Sequence, residues 1–380
     1  MKQNFSLPDP FWKRSLLSIL LFVLFGCTEC TSTTEIQNAN LSDEHSRIPK
    51  YVSRFGRKQP IIAVIGENRF TELTDFMIPY GVLSSAKIAK IIPVFPKLGL
   101  VKMFPALQIE AENSFDSFDS EYPEGADYVI VPAVHHSDDP RLISWVQKQS
   151  SKGATLVGIC DGVWVLANSG ILQGHKATGH WFSFSNLEKD FPETKWIRNR
   201  RYIADRNIIT TTGITASIPA SLALIEAISG IEKAKTVASS LGAKQWNADH
   251  QSSDFYLSRT HMYTASKNYL LFWRHEKLGV RIFTGVDEIS LALQADSYSR
   301  TYKTDVFAVS NGKQKFRSKS GLLIHSDLEE TDPSLDSILE SQNGLLPITS
   351  IDQNLREISS KYGKETAAFV ALQMEYPWLR

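Results

Sequence analysis

Three short, unbroken apolar runs constrain the fold of this chain more than any other feature. Ile61-Ile62-Ala63-Val64-Ile65, Tyr128-Val129-Ile130-Val131-Pro132 and Thr155-Leu156-Val157-Gly158-Ile159 each read as a strand apolar on both faces. That pattern suits a parallel sheet covered by helices on either side. The segments between and after them supply the helices: Asp75 to Lys90, Asp139 to Ser151 with Pro140 at its start, and Gly162 to Ser169. Asn207 to Thr211 adds a strand and Ile218 to Ser229 a helix. Such alternation predicts an α/β parallel-sheet sandwich with its site at the carboxyl ends of the strands.

Charge narrows the function. The 380 residues carry 41 basic and 41 acidic side chains, so bulk electrostatic attraction to nucleic acid is absent. Hydrophobic residues at 42% and charged residues at 22% match a globular chain rather than a disordered one. The three cysteines, Cys27, Cys30 and Cys160, are too few for a disulfide scaffold.

Lys13 and Arg14 precede an apolar run from Leu16 to Phe25, the length of a secretory h-region and short of the ~20 residues of a membrane-spanning helix. Residues 1–26 therefore read as a signal peptide. The run ends Leu24-Phe25-Gly26-Cys27, which resembles a bacterial lipobox, although Phe25 is bulky for it. That resemblance implies a lipidated Cys27, holding an exported protein on a membrane through acyl burial of ~0.8 kcal/mol per CH2. Thr28 in place of aspartate points to the outer membrane, facing the periplasm. An ordinary signal peptide or an uncleaved anchor is the alternative. Residues 27–58 are polar, as in a tether, with Cys30 unexplained, and folded structure is expected from near Gln59.

Gly158-Ile159-Cys160-Asp161-Gly162 lies between a buried strand and a helix, with the glycine spacing of a nucleophile elbow. A sharp strand-to-helix turn would hold the sulfur above the sheet edge. The flanking glycines would clear the turn, and the helix N-terminus would favour a thiolate. The same residue also reads as a buried structural cysteine.

The wider segment resembles the ThiJ/PfpI superfamily, a class I glutamine-amidotransferase-like, flavodoxin-like fold, and is most similar to the branch of isonitrile hydratases and AraC-type regulator sensor domains. The resemblance rests on the elbow, Leu166-Ala167 with Gly170-Ile171-Leu172 and Gly174, and Ala177-Thr178-Gly179-His180-Trp181. It continues through Phe191-Pro192, Arg200-Arg201-Tyr202 and Thr212-Gly213-Ile214-Thr215-Ala216, covering 59–230. It implies that Cys160 is the nucleophile, that Asp75, before Pro79, is the acid beside the sulfur, and that His180 approaches it. The backbone at Asp161 and Gly162 is expected to face an oxyanion. Asp75 also reads as a helix N-cap, and His180 as a satisfied polar group. Two departures stand out. Val131-Pro132-Ala133-Val134 has side chains where the family has a glycine pair, and Asp161 places a carboxylate where it would raise the thiol pKa. His135, His136 and Asp138 form a solvated loop rather than a metal site, and no metal or cofactor is expected.

Residues 231–380 form a C-terminal α/β segment. Lys244 to Leu257 reads as loop, Gly279 to Phe283 and Asp305 to Val309 as strands, and Leu355 to Met374 as a helix interrupted near Gly363. Gly279 to Leu293, with Asp305 to Val309 and Ser320-Gly321-Leu322, resembles the opening of a second copy, with Ser290 in the place of Asp75 and no elbow. Coincidental similarity between two α/β openings reads equally well. The expected function is a cysteine hydrolase or hydratase acting on a small carbon–nitrogen or carbonyl electrophile, or a non-catalytic ligand or stress sensor. A purely structural Cys160 is the third reading. The partner is a small molecule rather than nucleic acid, and a homodimer or an internal pseudo-dimer would complete the fold.

Overall fold

A computed structural model describes residues 47–340, 342 and 344–378. Cys27, Cys30, the signal-peptide reading and most of the tether lie outside the described residues.

The run Ile61–Ile65 forms strand β1 with all five side chains buried. They divide by alternation, as strand geometry requires. Ile62 and Val64 face one core and Ile61, Ala63 and Ile65 the other. After β1 come β2 (Arg69–Glu72), α1 (Leu73–Ala86), β3 (Lys90–Val94), β4 (Gly99–Phe104), β5 (Gln108–Ala111), α2 (Phe115–Glu121), β6 (Tyr128–Val131), α3 (Pro140–Ser151), β7 (Thr155–Gly158) and α4 (Val163–Asn168). Next are β8 (Lys176–Ala177), α5 (Phe184–Asp190), β9 (Lys195–Trp196), β10 (Tyr202–Asp205), β11 (Ile208–Thr211), α6 (Ser217–Ser229) and α7 (Ile231–Leu241). The main sheet has the order β10-β11-β7-β6-β1-β3. It is parallel except for β10, which runs antiparallel to β11. Helices cover both faces, so the site at the ends of β1, β6 and β7 is held by a doubly wound α/β sandwich.

The C-terminal part continues with α8 (Arg259–Leu270), β12 (Glu276–Arg281), α9 (Glu288–Ser299), β13 (Thr304–Ser310), β14 (Lys315–Arg317), β15 (Leu323–His325), β16 (Leu328–Glu329), β17 (Ser337–Ile338), α10 (Ser350–Tyr362) and α11 (Lys364–Gln373). Strands β16-β13-β12-β17 make a second parallel sheet. This segment is woven into the first: β15 pairs antiparallel with β5 in the sheet β14-β15-β5-β4-β2. Helix α9 packs on α1 at Gly81, where a Cβ would lie 2.7 Å from Ile289. One core accordingly runs from Ile62 and Phe76 through Ile289 and Ala292 to Val370.

One sequence expectation changes here. Residues 48–57, read as tether, lie against the domain: the Tyr51 N–H donates to the Ala227 carbonyl at 3.0 Å and Arg57 pairs with Asp127 at 2.8 Å. The interruption expected near Gly363 is present: Gly363 at φ 92° turns the chain between α10 and α11.

Candidate functional site

The elbow forms as a turn of 3-10 helix over Cys160–Gly162 between β7 and α4. Cys160 takes φ 53°, a left-handed conformation that a β-carbon disfavours and that surrounding structure must impose. Part of that constraint is the Cys160 N–H, which donates to Thr211 Oγ1 at 2.9 Å. Gly162 is needed for approach rather than for conformation, since a Cβ there would meet the Val131 carbonyl oxygen at 2.0 Å. At Gly158 a Cβ would lie 2.9 Å from Leu166 Cδ1.

Asp75 is fully buried but does not cap its helix. Glu72 is the N-cap of α1 and accepts the Asp75 N–H at 2.6 Å. The Asp75 carboxyl is thus left for the site, with Oδ2 accepting the Ala133 N–H at 3.3 Å and Oδ1 without a hydrogen-bond partner. Burial first, and then the Glu72 charge, raise its pKa well above the ordinary carboxyl value.

The thiol is likewise pushed well up, by burial and then by the charges of Asp75, Asp161, Glu72 and Glu375. The expectation of a helix-favoured thiolate is therefore not met. Helix α4 has six residues, too short for a large dipole, and four carboxyls outweigh it.

Asp161 accepts the Ser183 hydroxyl at 2.9 Å. Its other oxygen is buried without a partner, and burial raises its pKa while His180 opposes the shift. His180 lies in the loop between β8 and α5, 9% exposed, with Nε2 unpartnered. The Gly162 N–H is taken by the Ile159 carbonyl at 2.7 Å, which leaves the Asp161 N–H as the oxyanion-donor candidate of that pair.

The loop after β6, where the resemblance calls for paired glycines, is fixed by Glu67. Its Oε1 accepts the N–H groups of His135 and His136 at 2.8 and 3.2 Å. The His136 ring meets Glu67 Oε2 at 2.7 Å, while the His135 ring stacks on Phe70. The two imidazoles have diverged, and among the described residues no group of three His, Cys, Asp or Glu could hold a metal ion.

Other residues at the site carry no local sequence signal. Arg300, at the end of α9, reaches Glu72 Oε1 at 2.6 Å and Asp296 Oδ1 at 2.8 Å. Thr74 Oγ1 donates within the same cluster, 3.1 Å from Asp296. Glu375, after α11, is 3% exposed and takes His250 Nε2 at 2.7 Å. His250, Asp296, Arg300 and Glu375 each arrive from more than 70 residues beyond the elbow, where neither spacing nor motif links them to Cys160. A cavity of about 400 Å³ lies alongside, between Ser253–His261 and Ala368–Trp378. Cys160 does not line it.

A cysteine at a strained strand-to-helix turn, with a buried carboxyl beside it, above a doubly wound sheet, defines a nucleophile-elbow α/β protein. Residues 61–227 match the model of the DJ-1/PfpI family. Over 168 residues the chain is 28% identical to isonitrile hydratase of Pseudomonas putida, covering 43% of this chain and 70% of that one. It is 35% identical over 114 residues to the HTH-type transcriptional regulator CdhR of Pseudomonas aeruginosa, covering 30% of this chain and 34% of the regulator. The chain thus spans about a third of that regulator's length. The crystal structure of Drosophila melanogaster DJ-1beta aligns with TM-score 0.44 and 22% identity, over 49% of this chain and 98% of that one.

Proposed function

We propose that the protein is a cysteine-nucleophile hydratase or hydrolase of a small carbon–nitrogen or carbonyl electrophile, with isonitrile hydration the first reaction to test. The observation that carries this reading is the pairing of an elbow cysteine with a buried carboxyl, Asp75, whose capping duty Glu72 has taken over. Both groups hold protons more tightly than usual, so the resting pair is a neutral thiol beside a carboxyl. The neutral Asp75 carboxyl gives its proton to the terminal carbon of the isonitrile, or to the oxygen of a carbonyl, while its other oxygen takes the Sγ proton as sulfur bonds to that carbon, so an isonitrile becomes a thioimidate. The Asp161 N–H faces the developing negative charge, and water then displaces sulfur. The isonitrile hydratase relative supports this reading. The purified protein should convert an alkyl isonitrile to the N-substituted formamide, followed by proton NMR. Cys160→Ser should abolish turnover, and Asp75→Asn should lower kcat by about 10²-fold or more. No turnover, together with a Cys160 that alkylates only on unfolding, would sink the proposal.

A second reading, a ligand or stress sensor without turnover, is favoured by the loop after β6. Its amides at Ala133, His135 and His136 are occupied by Asp75 and Glu67, so they are not free for an oxyanion. The regulator relative fits that reading, and reversible binding without turnover would select it. In either case we place the protein outside the cytoplasm, tethered to a membrane through Cys27.

A further inference from the structure

The end of α11 and the residues just after it lie against the loops that follow β8 and β11. The Trp181 indole N–H donates to the Leu372 carbonyl at 3.0 Å, and the Thr215 hydroxyl donates to the Glu375 carbonyl at 2.8 Å. Glu375 itself sits at φ 52°, left-handed backbone that a glutamate adopts only under tertiary constraint. Its side chain enters above Gly213. A Cβ at Gly213 would lie 2.6 Å from Glu375 Oε2 and 3.0 Å from His180 Cδ2, so the glycine makes room for both. Oε1 is fixed by His250 at 2.7 Å. Oε2 and His180 Nε2 are both buried and without a hydrogen-bond partner.

We propose that Glu375, held by His250, is a positioning residue of the Cys160 site, delivered in cis from outside the family domain. It acts through the charge it presents to Asp161 and to the thiol, each of which it pushes toward the protonated form. The charges that bear on Cys160 come from Asp75 and Glu72 at the start of α1, from Asp161 in the elbow and from Glu375 after α11, and His180, from the loop before α5, bears on Asp161. Arg300 and Asp296 stand behind Glu72, and His250 stands behind Glu375. In this arrangement Glu375 opposes premature thiolate formation and leaves deprotonation of sulfur to Asp75.

This inference rests on Cys160 being the working thiol of the proposed function, but its test needs no substrate. The thiolate of Cys160 is titrated by ultraviolet absorbance in the full chain carrying Cys27→Ser and Cys30→Ser, with a Cys160→Ser protein subtracted. Glu375→Gln should move the midpoint to lower pH, and Glu375→Asp, which keeps the charge, should restore it toward wild type. A purely structural role would lower Tm in both variants and leave the midpoint in place. Coincident titrations of wild type and Glu375→Gln overturn the proposal. Should Glu375→Gln not fold, His250→Gln is the second variant: a displaced midpoint supports the proposal and an unchanged one overturns it. Absence of isonitrile turnover with a shifted midpoint would count against the reaction and leave Glu375 in place.

Discussion

Gly162 shows how narrowly the elbow is specified. Its φ of −60° is open to any residue, so the need for glycine is steric: the Val131 carbonyl oxygen lies 2.0 Å from where a Cβ would be. Gly162→Ala must push the elbow away from the end of β6, and overpacking of this kind costs about 1–3 kcal/mol. Urea unfolding should show that loss, and an unchanged midpoint would mean that β6 yields more easily than its buried position suggests. Asp161 was legible beside Cys160 because the elbow is a local pattern, whereas Asp75 was set beside the sulfur only by the family resemblance of the segment before Pro79. Glu67, Glu72, Arg300, His250 and Glu375 were not, because a lone charged residue in a sequence says nothing of which distant strand end it reaches.

At the scale of elements, the start of α1 is a charged junction in the interior, where Glu72 and Asp75 are buried and Arg300 joins Glu72 to Asp296. Glu72 is pushed up to about 7 by burial, with Asp296 adding to the shift and Arg300 opposing it. Burial raises Asp75 and Asp296 in the same direction. The folded chain therefore keeps a proton at Glu72 that the unfolded chain loses near the ordinary glutamate value of about 4.3. Its stabilising contribution is complete below that value and is lost as pH rises to about 7. Urea stability measured across this window should fall with rising pH, and Glu72→Gln should flatten the slope. Arg300→Met, which leaves Glu72 and Asp296 buried without their cation, should cost about 3–5 kcal/mol at neutral pH. The buried strands β1, β6, β7 and β11 were visible in the sequence because each is an apolar run. Strands β4 and β5 were missed, since their burial alternates or is partial and the pairing of β5 with β15 joins residues about 215 apart.

For the whole molecule, the division into 59–230 and 231–380 is a division of sequence more than of packing. Described residues from both parts share one core and one sheet, and fall in a single compact unit spanning Asp43–Arg380. The register that sets Ser290 opposite Asp75 has a structural parallel. Both are the third residue after an acidic N-cap, Asp287 for α9 and Glu72 for α1, and the two helices pack together. The tether belongs to this scale as well. Among the described residues no helix is long and apolar enough to cross a membrane; the attachment proposed above is through Cys27. Metabolic labelling with a radioactive fatty acid should mark the wild-type protein and not Cys27→Ser. Equal labelling of the two would remove the lipoprotein reading.

The order of residues was enough to establish an α/β sandwich, its elbow and the cysteine at its tip, because buried strands and tight turns leave periodic and steric marks within a few residues. The electrostatics of that cysteine came from the folded chain alone. They depend on carboxyls brought together from α1, the elbow and the residues after α11, with Arg300 and His250 paired to two of them. Charge acts through space rather than along the chain, and burial, which sets its strength, exists only once the chain has folded.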